Sequence, residues 1–411
     1  MRVAIVGGGA AGMITAYLLD PAHRLTVFER QPILGGNIRT LGRNVACAGL
    51  PPGLCLDSGA IEFSPEHFPT LHRLFAALAV ETRPVPATTG LVTATGRHYL
   101  SPAKLANSAL PWPRRVAALL RTLSIAPSQL RFRSRARRAR EEDLMHTSVG
   151  DFLGPSGGTL HEWLRLLLVY GYSIPRGKID AMPAAIAIPT LDKFAGETSW
   201  TSVVGGTYRY IEAITDSLRG QVITGAEIDG ITRDEHGVEL RLRGATPQRF
   251  DVVVLATPPA QVLPLLSDAT DAEQRRFSAW RDNEADAIIH TDSGMYRRRG
   301  IVDYAEFDVF ARPPGYNAYL NRLSGLPPAH PVDYHFSYNL ADEIDPARIL
   351  HVQRHQTPLY TVASLTTRPE IIATNGSDNT YYAGAWLGEG LHEGAVTSAL
   401  AVSRRLGGRQ L

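Results

Sequence analysis

Gly7, Gly9 and Gly12, in the run MRVAIVGGGAAGMITAYLL, are the residues whose spacing carries the clearest chemistry in the chain. They fit G-x-G-x-x-G. In that pattern the first glycine permits a sharp turn, the second lets a pyrophosphate approach the backbone, and the third lets a helix pack closely on a strand. Ala10 and Ala11 open the helix that follows, where unpaired N–H groups and a partial positive charge meet phosphate oxygens. Glu29 closes the next apolar run, with Arg30 after it. A carboxylate there accepts hydrogen bonds from both hydroxyls of a ribose and favours a dinucleotide without a 2′-phosphate.

The elements that must position these groups are readable around them. Val3, Ala4, Ile5 and Val6 form a continuous apolar run, the mark of a strand buried on both faces of a parallel sheet. Ala10 to Leu19 are small or helix-favouring, and Leu25 to Phe28 supply a second strand. The unit is βαβ, and the expected fold class is α/β.

Bulk composition narrows the function. The formal net charge of +2 on 411 residues provides no field that would recruit nucleic acid. Cys47 and Cys55 are too few for a disulfide framework and lack metal-site spacing, although they flank a short loop that one bridge could close. The first strand starts at Arg2, and no apolar run reaches the roughly 20 residues needed to span a bilayer. A soluble, cytoplasmic enzyme is the expectation.

The ligand-binding half reads as three pieces, 1–95, 199–266 and 361–411, with two insertions, 96–198 and 267–360, forming a second domain. Residues 221–256 alternate between turn signals as a β-meander, with its tip at His236 and Gly237, returning to a buried strand at Val252 to Ala256. Tyr381 to Ala385 reads as a last buried strand and Gly394 to Leu406 as a helix. In the first insertion, prolines are expected to break a helical stretch that carries a basic run from Arg131 to Arg140. That run reads either as a patch for anionic lipid or as a solvated face balanced by Glu141, Glu142 and Asp143.

LGGNIRT, LDSGAIEF, WTSVVGGTYRYIEAIT and the terminal GLHEGAVTSALAVS together resemble flavin-containing amine oxidases and their relatives, including protoporphyrinogen oxidases and carotenoid desaturases. Most similar is a bacterial branch of flavin-dependent oxidoreductases found beside cyclopropane fatty acid synthases. The resemblance implies a Rossmann-like FAD-binding domain with a discontinuous α+β substrate domain, and non-covalent FAD as cofactor. It further implies that Gly7, Gly9 and Gly12 face the pyrophosphate, Glu29 the adenosine ribose, and Gly35 and Gly36 a second phosphate loop. Asn37 stands where the family commonly has an arginine on phosphate, leaving Arg39 as the cation in reach. By the same resemblance, Val222 and Ile223 pair with the adenine edge, and Gly59, Ala60 and Ile61 lie along the isoalloxazine ring. Gly384 belongs to the terminal strand, and Glu393, Gly394 and Ala395 to a turn opening a helix aimed at the pyrimidine end of the flavin. A helix N-terminus there stabilises the negative charge that reduced flavin gathers around N1 and O2.

Glu62 and His392 are the candidate catalytic side chains. A carboxylate at Glu62 could take a proton, bind a cationic amine, or pair with an arginine; an imidazole of near-neutral pKa at His392 could shuttle protons or begin a helix. Trp386 and Tyr382 read as pocket wall or core. His351 and His355 lie four apart, but their segment is short and ends at Pro358, so no metal is expected. The chain carries one dinucleotide fingerprint and none for NAD(P)H, which leaves oxygen, a quinone or a carrier protein as electron acceptor. Three functions are compatible: oxidation of a small-molecule amine or C–C substrate, with the branch resemblance pointing to a lipophilic one, by hydride transfer to flavin N5; a flavin isomerase without net redox; and a non-catalytic FAD-fold binding protein. Peripheral membrane contact belongs with a lipophilic substrate.

Overall fold

Arg2–Val6 is the central strand of a five-stranded, wholly parallel sheet. Its spatial order is Thr380–Tyr382, Val252–Leu255, Arg2–Val6, Arg24–Glu29 and Gln221–Thr224. This computed structural model describes residues 1–155, 158–194 and 199–411. Val3, Ala4 and Ile5 are wholly buried because helices cover one face of the sheet and the antiparallel meander the other side of the core. The helix Ala10–Leu19 leaves the first strand directly and packs on the C-terminal helix His392–Leu406. The meander forms as Ile228–Asp234, Gly237–Leu242 and Gln248–Phe250. The last strand is shorter than the apolar run suggests: it ends at Tyr382, and Ala385–Leu387 forms a 3₁₀ turn.

A second sheet of seven strands runs in the order Ile349–Leu359, Arg281–His290, His335–Tyr338, Pro314–Tyr319, Phe307–Ala311, Thr89–Val92 and His98–Leu100. Thr89–Val92 lies inside the expected first piece, 1–95, yet it pairs with Phe307–Ala311. The reason is burial: Leu91 and Val92 are 1% exposed in this sheet's core. The expected boundary at residue 198 lies outside the described residues. Helix Thr159–Tyr172 packs on the sheet and on helix Ala184–Phe194. Ile349–Leu359 is the edge strand, so Pro358 is tolerated within it, where a missing N–H faces no partner. His351 and His355 are therefore same-face strand neighbours and not helical ones.

The prolines do not break the first insertion either. Trp112–Arg138 is one 27-residue helix, with Pro113 in its first turn and Pro127 inside. A proline in the first turn displaces no intrahelical bond, and Pro127 sits on the exposed side, where the carbonyl it frees meets water. Cys47 and Cys55 are both free thiols.

Where the last strand meets the meander, a buried ionic cluster holds the two together. Arg233 binds Glu273 at 2.5 and 2.8 Å and Asp268 at 3.1 Å, and the Tyr382 hydroxyl donates to Glu273 at 3.1 Å. Burial alone would raise the Glu273 carboxyl, but Arg233 and the Thr270 N–H hold it down at about 2. A depressed carboxyl contributes stability that is present above its unfolded value near 4.5 and is lost as pH falls towards about 2. Glu273→Gln should therefore cost about 2–3 kcal/mol at pH 7, because the buried Arg233 would lose its most buried carboxylate and keep only the part-exposed Asp268. Urea melts between pH 5 and 2 should show wild type and variant converging, and parallel curves would contradict the assignment.

Candidate active site

The sequence fingerprint folds as a paired set of loops. Gly7 has φ +109°, and a Cβ on Gly12 would stand 1.8 Å from the Gly7 carbonyl oxygen, so the helix can approach the strand only without one. The Gly35 N–H donates to the Gly8 carbonyl at 2.8 Å, and Gly9 bridges to Gly35, joining the two glycine loops. Gly7, Gly9, Ala10, Ala11, Gly35 and Gly36 line one cleft of about 1300 Å³, while Gly12 lies behind it as a packing residue. Glu29 lines the cleft too, but its oxygens already accept from the Gly8 N–H at 2.6 Å and the Gln31 N–H at 2.7 Å. It shapes the loop as well as offering its remaining lone pairs to a ligand.

Arg39 and Arg30 border the same cleft. The Arg39 guanidinium is 8% exposed and donates only to backbone, at 2.9 Å to Leu34 and 3.1 Å to Ile38. Burial lowers its pKa, partly offset by the charge of Glu29. A buried cation without its own carboxylate suits an anionic ligand. Asn37 turns elsewhere: its side chain brackets Gln356 of the edge strand, donating at 2.8 Å and accepting at 3.3 Å.

Gly59, Ala60 and Ile61 run along the cleft between two fastened points. On one side the buried Asp57 carboxylate, raised to about 6 by burial, accepts from the Thr207 N–H at 2.9 Å and the Thr40 hydroxyl at 2.5 Å. On the other, Phe63 exchanges backbone bonds with Thr201 at 2.8 and 3.0 Å. Glu62 between them faces the cleft and accepts from the Tyr170 hydroxyl. Burial pushes its pKa up to about 8. Among the described residues no arginine pairs with it, so the ion-pair alternative is not what forms.

Beyond Glu62 the cleft is aromatic. Tyr170 packs on Phe194 with centroids 5.8 Å apart and on Tyr316 at 5.3 Å; Phe194 stacks on Trp200 at 6.1 Å, and Tyr316 meets Phe336 at 5.6 Å. All five line the cleft, with Trp386 of the terminal turn. Tyr382 is core, bonded to Glu273.

The C-terminal helix completes the site. Neither it nor Ala10–Leu19 has a side-chain cap, and Ala10, Ala11, His392 and Ala395 at their N-termini line the cleft. Gly384 is held to this helix by the Ser398 hydroxyl, which accepts its N–H at 3.0 Å. Burial with no charged partner pushes His392 down to about 4, so its imidazole is neutral at pH 7, and it stands as the first residue of the last helix. Glu393 does not face the cleft; it caps helix Pro69–Ala77, accepting from Thr70 N–H at 2.9 Å and Leu71 N–H at 3.0 Å. Gly394 is likewise packing, since a Cβ there would meet the Ala385 oxygen at 2.6 Å. Val222 and Ile223 lie in the edge strand Gln221–Thr224 and do not line the cleft, whereas Ala226, Glu227 and Ile228 after it do.

The cleft fits an extended dinucleotide. Buried Thr257 Oγ1, His355 Nε2, Trp386 Nε1 and His392 Nε2 line it without hydrogen-bond partners, and buried polar atoms are ordinarily partnered. Its volume exceeds the roughly 300–1000 Å³ usual for one drug-sized ligand. The family model for flavin containing amine oxidoreductases matches residues 10–288. The chain belongs to this family. It is an FAD-dependent oxidoreductase. No curated protein matches the chain. Its fold is similar to that of a putrescine oxidase bound to putrescine, at 12% identity over 98% of this chain and 99% of the other, TM-score 0.69. A cyclohexylamine oxidase from Brevibacterium oxydans IH-35A is 15% identical over 99% of both chains, TM-score 0.69. A CLA-producing fatty acid isomerase from P. acnes is 18% identical over 98% of both, TM-score 0.67.

Sequence reasoning missed the aromatic wall and the contribution of the edge strand, whose His351, His355 and Gln356 all line the cleft of the flavoenzyme. The four-residue histidine spacing was a signal for a shared face, read with the wrong period. Arg39→Ala should weaken FAD by about 1.5–3 kcal/mol, roughly 10- to 150-fold, measured by titrating apoprotein with FAD. Gly12→Val should give colourless protein. An Arg39→Ala affinity equal to wild type would remove Arg39 from the phosphate site.

Proposed function

We propose that this oxidoreductase takes a hydride from a C–H bond of an uncharged, lipophilic small molecule, a fatty acyl chain being the best match. The observation that carries the reading is the aromatic wall from Trp200 to Phe336, with Glu62 as its carboxyl, neutral below about pH 8. With Glu62 protonated the wall offers a cationic amine ring faces but no fixed anion at that carboxyl, which favours an apolar substrate. When bound, FAD supplies the electron chemistry, accepting the hydride at N5. Tyr170, Phe194, Tyr316 and Phe336 exclude water and orient the substrate. Glu62 holds its proton at the carboxyl and fixes Tyr170 by accepting its hydroxyl hydrogen bond. His392 serves as a neutral hydrogen-bond donor at the start of the last helix.

In this reading the glycine loops and Arg39 hold the diphosphate, Glu29 the ribose, Ala226 to Ile228 the adenine, and Gly59 to Ile61 the ring. Oxygen, a quinone or a carrier protein removes the electrons, and the enzyme meets its acyl substrate at a membrane surface. A second reading, isomerisation without net oxidation, is favoured by the fold likeness to the fatty acid isomerase.

Anaerobic mixing separates these. A long-chain fatty acyl ester should bleach the flavin absorbance persistently, and putrescine should not. Bleaching by putrescine alone overturns the lipophilic reading, whereas acyl turnover that requires prereduced flavin and leaves it reduced supports the isomerase. In steady state, kcat/KM should fall roughly tenfold per unit as pH rises beyond about 8, because Glu62 ionises inside the wall. Glu62→Gln should abolish that inflection, and an unchanged profile would free Glu62 of the role.

A further inference from the structure

The helix Trp112–Arg138 is buried along one line only, at Ala118, Ile125 and Phe132. On the opposite side stand Trp112, Leu119, Leu120, Leu123 and Leu130, between 45% and 75% exposed. These are five of the nine exposed large hydrophobics among the described residues, so the clustering is not ordinary surface scatter. At about 100° per residue, Trp112, Leu119, Leu123 and Leu130 share an arc of about 40°. The helix has eight arginines and no acidic residue, in a chain whose net charge is only +2.

The acidic residues after the helix do not neutralise it. Among the described residues, Arg133 alone of the eight is ion-paired, to Asp192 at 3.6 Å, and Glu142 pairs with Arg140 beyond the helix end. Arg131, Arg135 and Arg138 line a shared concavity with Phe152, and Arg135 lies 4.4 Å over the Phe152 ring. Asp143 is the single carboxylate in that lining.

We infer that this face of the helix lies in the interface of an anionic bilayer. Its apolar stripe enters the acyl boundary, Trp112 anchors one end, and Arg131, Arg135 and Arg138 take headgroup phosphates at the other. Charge decides against a second copy of the chain as occupant, because a symmetric contact would bring two sets of eight arginines together. Among the described residues no helix is long and apolar enough to cross a membrane, which agrees with a helix lying in the plane. The helix packs directly on Thr159–Tyr172 and Ala184–Phe194, the elements that carry Tyr170 and Phe194 of the aromatic wall. The docked face is thus one helix layer from the substrate end of the cleft. This deepens the membrane contact in the functional reading, but the test below measures binding alone, so its failure leaves the acyl-substrate reading standing.

Full-length holoprotein should co-sediment with vesicles of phosphatidylcholine and phosphatidylglycerol at least tenfold more strongly than with phosphatidylcholine alone. Trp emission should shift blue on binding, and Trp112→Phe should lose that shift. Leu123→Asp with Leu130→Asp should abolish sedimentation, and each of Arg135→Glu and Arg138→Glu should weaken it at least fivefold. Unchanged flavin content and thermal melting show that these surface variants fold. Three results overturn the inference: equal affinity for both vesicles, binding abolished by millimolar inorganic phosphate without any Trp112 shift, or a dimer in light scattering that the Leu123→Asp, Leu130→Asp variant dissolves.

Discussion

The meeting of two glycine loops is the constraint on which the site depends. Because Gly12 has no Cβ to strike the Gly7 carbonyl, the first helix lies hard against the first strand. The Gly35 N–H then bonds to Gly8, drawing the second loop over the first. The C-terminal helix packs on the first helix and is tied by Ser398 to Gly384. Two helix N-termini without side-chain caps thereby open into one cleft, and backbone N–H groups with no partner of their own are what a diphosphate and an electron-rich ring require.

Charge is divided along this cleft by burial. At the glycine-loop end Arg39 keeps its proton despite being almost covered, since a guanidinium cannot shed it under ordinary conditions. At the other end the same desolvation acts on groups that can change state: Glu62 is raised to about 8 and His392 lowered to about 4. Both are neutral at pH 7. Burial thus leaves a charged group at one end of the cleft and neutral groups at the other, the division on which the proposed reading rests.

The second sheet meets the cofactor fold through its exposed edge. Asn37 brackets the backbone of Gln356 where the strand Ile349–Leu359 has no neighbouring strand, and Ser58 donates to Gln353 at 2.8 Å. An open edge is ordinarily a site for unwanted pairing. Here a loop of the first fold covers it, so the strand's histidines face the cleft.

From the sequence alone, the βαβ start and its dinucleotide fingerprint were readable, because glycine spacing and short apolar runs report local backbone geometry directly, while the resemblance of its motifs to a flavin family supplied the cofactor class. The helix Ala10–Leu19 and the meander formed where those signals placed them. Tertiary structure alone decided which neighbours of those motifs reach the cleft. Ala395 lines it while Glu393, two residues away, caps another helix, and no local pattern distinguishes them. The aromatic wall draws Tyr170, Trp200 and Phe336 from separate elements, and the protonation of Glu62 follows from the packing around it. Side-chain direction and desolvation arise only when distant segments close on one another, which is why the cofactor was written in the sequence and the character of the substrate end was not.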